Sequence, residues 1–254
     1  GGGSLTGASA VSNASGIATV GSWTLGNLAG VNTLTASAAG LGGSPVGFTA
    51  TATAGAAATI TKQGGDNQVR TVNGAVPVAP FVRVTDGSGN PVAGVAVTFA
   101  VATGGGSLTG ASATTNASGI ATVGSWTLGT AAGSNTLTAT AAGLAGSPLT
   151  FTATGVAGAA NAAQSSATVP GGSTGSQTTI TIQLRDQFGN VLAAGGANVQ
   201  VTITGANPGG AAVTDLGDGT YLAGYVPAAS GTDLVSITLN GVQIGGSPYT
   251  SSIP

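Results

Sequence analysis

The 254 residues contain no cysteine, histidine, methionine or glutamate, and only 4% of them are charged. A soluble domain usually carries about 25% charged residues. Histidine, cysteine and glutamate supply most general acids and bases, metal ligands and covalent nucleophiles. What remains for chemistry is six aspartates, Lys62, Arg70, Arg83, Arg185, three tyrosines and many hydroxyls. We therefore expect no catalytic, cofactor-binding or metal-binding residues. A net charge of -2 gives no basic patch, so nucleic acid is not expected as a partner. No apolar run approaches the roughly 20 residues that span a bilayer, and the first residues do not read as a signal peptide. Without cysteine no disulfide supports the fold, which is compatible with a bacterial surface protein.

Glycine supplies 47 residues and hydrophobic residues 41%. Disordered chains are depleted in apolar residues, whereas here Val, Leu, Ala and Phe alternate with Thr. Val95, Val97, Phe99 and Val101 fall on one side of a strand, with Ala96, Thr98 and Ala100 on the other. Leu137, Ala139 and Ala141 oppose Thr136, Thr138 and Thr140, and Leu149, Phe151 and Ala153 oppose Thr150, Thr152 and Thr154. Period-two patterning marks strands with one buried face. Turn words separate them: 86–91 (Asp-Gly-Ser-Gly-Asn-Pro), 104–106, 116–119 and 145–148. No segment reads as a helix. The expected fold is all-β, with tandem two-sheet sandwiches arranged end to end.

The chain repeats itself. Residues 1–51 match 104–154 at a constant offset of 103, with 42 of 51 positions identical. A period near 100 suits a sandwich domain and is too long for a solenoid. The expected domains are 1–52, the later half of a repeat; 53–155, a complete repeat; and 156–254, of similar length with different words. Boundaries are expected near 52–57 and 154–160, with short linkers that limit bending. Alone, the first segment leaves Leu25, Leu34, Ala36 and Phe48 facing water, and about 50 residues bury too little surface to fold unaided. Either it is an excerpt of a longer chain or another copy completes it by lending strands.

The words at 65–68 (GDNQ), 82–101 (VRVTDGSGNPVAGVAVTFAV), 114–123 and 126–141 together resemble the bacterial Ig-like group 1 domain of invasin- and intimin-type adhesins. The resemblance covers 57–154 and, by repetition, 1–52. LRDQFGN at 184–190, DLGDGTYLAGYVP at 215–227 and ITLNGVQIGGSPY at 237–249 resemble the filamin-type Ig-like repeat. Both resemblances imply non-catalytic sandwiches used as rods, stalks or fibres outside the cell or at its surface. The partners they imply are neighbouring Ig-like repeats or other copies. The alternative they imply is an adhesin or accessory module with a host or carbohydrate ligand.

Several residues invite a sharper reading. Asp86 and Asp186 open matching Asp-x-x-Gly-Asn turns, and calcium competes there with a turn role; hard cations want six to eight oxygens, and each turn offers one carboxylate and one Asn. Asp215 and Asp218 form the densest acidic pair, again in a turn. Trp23 and Trp126 could stack on sugar, but a Trp recurring at one position is expected in the packing. Tyr221 and Tyr225 are expected in the core with hydroxyls bonded at its rim. Lys62 could cross-link to an Asn only with an acid beside it, and no Asp is expected nearby. Asn13-Ala-Ser15 and Asn116-Ala-Ser118 match a glycosylation acceptor but sit where turns need Asn. The Thr49, Thr51, Thr53 row suggests ice binding, which sheet twist opposes.

Overall fold

A computed structural model describes residues 2–254. Among these residues every regular element is a strand, as the alternation predicts. The first segment holds β1 (Gly3–Thr6), β2 (Ser22–Leu25), β3 (Gly30–Ala36) and β4 (Val46–Ala52). The second holds β5 (Ala57–Gly64), β6 (Gln68–Thr71), β7 (Phe81–Asp86), β8 (Ala96–Thr103), β9 (Gly106–Thr109), β10 (Ser112–Thr114), β11 (Ile120–Thr122), β12 (Ser125–Leu128), β13 (Gly133–Thr140) and β14 (Leu149–Val156). The third holds β15 (Ser166–Thr168), β16 (Thr178–Gln183), β17 (Val199–Gly205), β18 (Gly209–Asp215), β19 (Thr220–Tyr225), β20 (Gly231–Leu239), β21 (Val242–Gln243) and β22 (Tyr249–Ile253). Among the described residues no strand of one segment pairs with a strand of another.

In the second segment a five-stranded sheet, β10-β8-β13-β14-β6, faces a three-stranded sheet, β11-β7-β5, and the β12-β9 pair. The inward side chains are those the alternation assigns. Phe99, Leu137, Ala139 and Phe151 meet Ile60, Val82 and Val84, with Trp126 and Leu128 in the same core. Strand β6 runs parallel to β14 along one edge, a pairing that short polar residues do not announce. The third segment packs Ile180, Ile182, Tyr221 and Ala223 against Val201, Ile203, Val235 and Ile237, in a sheet system of order β15-β16-β19-β18-β17-β20-β21 with β22 also on β20.

The later halves of all three segments share local chemistry. Ser44, Ser147 and Ser247 each precede a cis proline. Their hydroxyl oxygens accept the N–H of Ala38, Ala141 and Ile237 at 2.9, 3.0 and 2.9 Å. The first segment corresponds in sequence to this later half. Its strands form two ribbons, β1-β2 and β3-β4. Phe48 is 51% exposed where its counterpart Phe151 is 0%. Leu25 and Leu34 are half-buried where Leu128 and Leu137 are fully buried.

This contrast sets a paired prediction. Phe151→Ala removes a filled core position and should destabilise the second segment by about 3–5 kcal/mol. Phe48→Ala, the same change at the matched position, should cost less than about 1 kcal/mol. Denaturant unfolding in a Trp23→Phe background, with Trp126 as reporter, measures the first value. The same measurement with Trp126→Phe and Trp23 as reporter measures the second. Equal costs would contradict the exposed placement of Phe48.

Candidate functional site: the joints between segments

The most specific polar chemistry lies where segments meet. Strand β7 ends at Asp86, and the chain turns back through Gly89, whose φ of 86° is readily adopted only by glycine. One Asp86 carboxylate oxygen accepts the N–H of Ser88 and of Asn90, both at 2.9 Å. The other accepts the linker N–H of Gly55 at 2.7 Å and the Asn90 side-chain amide at 2.8 Å. Asn90, held in this way, aims its carboxamide at the preceding segment. It accepts the Ala29 N–H at 2.8 Å and donates to the Asn27 carbonyl at 2.7 Å.

The next joint repeats this arrangement. Asp186 accepts the N–H of Phe188 and Asn190 at 2.9 Å, the linker N–H of Gly158 at 2.9 Å, and the Asn190 amide at 2.9 Å. The Asn190 carboxamide accepts the Ala132 N–H at 2.7 Å and donates to the Thr130 carbonyl at 2.8 Å. The receiving loops correspond under the 103-residue offset, as do Gly55 and Gly158. Each loop leads into Gly30 or Gly133, at φ 136° and 128°, with open space around the position a Cβ would take. Backbone conformation, rather than crowding, requires glycine there. With a net contribution of about 0.5–1.5 kcal/mol per hydrogen bond, the two carboxamide bonds and the linker bond together favour the docked joint by about 1.5–4.5 kcal/mol.

The same donors set the acidity of the carboxylates. The Asn90 amide above all, then the Gly55 N–H and the turn amides, hold Asp86 at about 2, against a smaller opposing effect of burial. For Asp186 burial is the largest single influence and pushes the value up. The Gly158 N–H, the Asn190 side chain and the turn amides together outweigh it, and the net shift is downward. Donors thus surround both carboxylates, an arrangement that suits an anion held in a turn and offers a calcium ion no oxygen cage. No group of three His, Cys, Asp or Glu side chains that could hold a metal occurs among the described residues.

The remaining candidates are scattered. Asp215 accepts the N–H of Gly196 and Gly217, and Asp218 that of Thr220. Trp126 is fully buried in the core and Trp23 half-buried. The Tyr221 hydroxyl accepts the Ala197 N–H, and the Tyr225 hydroxyl lies 3.1 Å from both Asp233 and Ser251. Asn13 caps its turn by accepting from Ser15 and Ile17, and Asn116 does the same from Ser118 and Ile120. Thr49, Thr51 and Thr53 are exposed, the first two on the β3-β4 ribbon.

Lys62 requires a correction. Asp66 sits beside it, 2.5 Å from the ammonium. Residues four apart on a regular strand lie about 13 Å apart. Here the register of β5 shifts between Lys62 and Gly64, and Gly65 turns the chain at φ 82°, which brings Asp66 back. The pair is partly exposed, and Asp66 also accepts the Thr152 N–H. The joint-forming role of Asn90 and Asn190 has no separate mark in sequence, because an Asn closing the turn accounts for the residue equally well. Its one signal is that both Asp-x-x-Gly-Asn turns follow a segment boundary by about 30 residues.

A pH dependence follows. Because the folded values of Asp86 and Asp186 lie below the ordinary carboxylate range, their contribution to stability is complete above about pH 4. It is lost as pH falls through the folded values, near 2 for Asp86. With no His or Glu in the chain, thermal melts should be unchanged from pH 5 to 7 and fall between pH 4 and 2. A fall between pH 6 and 5 would contradict this account.

The sequence model of the bacterial Ig-like domain (group 1) matches residues 65–154, and that of the Filamin/ABP280 repeat matches residues 159–250. Compared with curated protein sequences, the chain finds no match. Among solved structures, the Escherichia coli adhesin FdeC superposes with a TM-score of 0.50 at 16% identity, over 93% of this chain and 76% of that one. Yersinia pseudotuberculosis InvD gives 0.44 at 26% identity, over 73% of this chain and 54% of its own. The bacterial integrin-binding protein invasin gives 0.37 at 27% identity, over 77% of this chain and 39% of its own. The FdeC likeness is one of fold, and it agrees with tandem Ig-like sandwiches. The chain therefore carries a bacterial Ig-like group 1 unit followed by a filamin-type Ig-like unit.

Proposed function

We propose that this chain is a non-catalytic, extracellular structural element: part of a stalk, fibre or surface layer built from tandem Ig-like units. The observation that carries this reading is the pair of matching joints. A chain that uses the same three side-chain contacts at successive boundaries is organised to hold units in line. Residues 53–155 and 156–254 are the complete units of this reading, and 1–52 is the later half of a further one. A second copy of the chain cannot complete that half by lending its residues 53–103 without uncovering its own residues 104–154.

The surface supports the same reading. It is built from Thr, Ser, Asn, Gly and apolar side chains, among them exposed Leu28, Leu41 and Val69, with one ion pair among the described residues, Lys62–Asp66. Among the described residues no helix is long and apolar enough to cross a membrane. The second reading is an adhesin or accessory module that binds a host or carbohydrate ligand. The fold likeness to the adhesin FdeC favours it, and it is compatible with a stalk that presents a binding unit. Small-angle scattering tests the principal reading. A single globule of this length has a radius of gyration of about 18 Å, and the aligned units should give a value well above it. A value near 18 Å would overturn the stalk.

A further inference from the structure

At both joints the hydrogen bonds from the hairpin asparagine to the receiving loop go to main-chain atoms. The receiving loops are Asn27-Leu28-Ala29 and Thr130-Ala131-Ala132. Two of these three positions differ, inside a stretch that is otherwise nearly invariant between the copies. The contacts nevertheless agree: the loop N–H bonds are 2.8 and 2.7 Å, and the bonds to the loop carbonyl are 2.7 and 2.8 Å. The hairpins differ too, with Gly-Ser in one and Gln-Phe in the other between Asp and Gly-Asn. One lies within the group 1 match and the other within the filamin-type match.

We propose that the Asp-x-x-Gly-Asn hairpin is an interchangeable joint. It seats one Ig-like unit on the preceding unit by reading loop backbone alone, and its fitting partner is any Ig-like unit whose loop turns into a positive-φ glycine as Gly30 and Gly133 do. Three features produce this. A carboxamide presents one donor and one acceptor on a single plane, which matches a carbonyl and an N–H two residues apart. The aspartate fixes that plane from behind. The linker glycine, Gly55 or Gly158, bonds the same aspartate, so chain path and docking surface are set together. In the third unit the Asn207 carboxamide bonds Ala228 and Ala229 of the corresponding loop from inside the same unit. A carboxamide on loop backbone thus recurs, and that loop is already engaged.

The inference rests on the stalk reading, and one experiment separates the two. The chain has no native cysteine, so Ser118→Cys and Ser173→Cys, both at exposed positions, place spin labels across the second joint. A narrow distance distribution is expected in the otherwise unchanged chain. Asn190→Ala should lose the narrow peak, as should Asn190→Asp, which removes the donor to the Thr130 carbonyl, while Thr130→Ala keeps it. A second copy of residues 53–155 inserted between Gly155 and Val156 creates a pairing the chain lacks, the Thr130–Ala132 loop against an Asn90 hairpin. Labels across that new joint should give an equally narrow peak. Melting curves of the Asn190 variants check that each unit stays folded. Asn190 variants that keep the narrow peak, or a broad distribution at the new joint, would overturn this proposal and leave the stalk standing. A broad distribution in the unmutated chain would remove the stalk reading itself.

Discussion

An aspartate that holds an asparagine is the interaction on which the arrangement of this molecule depends. Asp86 and Asp186 each gather donors from their own turn, from the linker and from an asparagine side chain. Their charge is stabilised without any cation. The asparagine is left with one orientation, and its outer donor and acceptor become a fixed contact for the neighbouring unit. Turn, linker and joint are therefore one cooperative polar network, in which loss of any member leaves others unpaired.

The remainder of the structure follows from period-two alternation. Two sheets bury Val, Leu, Ile and Phe, and their outer faces carry hydroxyls in place of the usual Lys and Glu. Such a surface gains little from ion pairing, so cohesion falls on the cores and on hydrogen bonds such as that between Thr103 and Thr136, at 2.7 Å on the outer face of the five-stranded sheet. Residues 2–52 show what the cores supply. They have nearly the same sequence as 104–154, yet without opposing strands Phe48 stays exposed where Phe151 is buried.

Much of the fold was legible in the residues. The inward set of β8, β13 and β14 can be read directly from alternation, and the turns from Gly, Asn and Asp. What was not legible depends on contacts distant in the chain. Strand β6 is Gln-Val-Arg-Thr, too short and polar to show a pattern, and it exists through its parallel pairing with β14. The Lys62–Asp66 pair depends on a register shift that strand periodicity hides. The role of Asn90 and Asn190 was hidden for a different reason: the local turn already explains the residue, and the partner lies some 60 positions earlier.

The most direct measurement of the central claim is amide hydrogen exchange at Ala29 and Ala132. Both lie in exposed loops outside any strand, where amides ordinarily exchange without protection. If the Asn90 and Asn190 carboxamides hold them, both amides should exchange slowly in the intact chain. In Asn190→Ala, Ala132 alone should become fast while the core amide of Leu137 stays slow. Unprotected exchange at both positions in the intact chain would contradict the account.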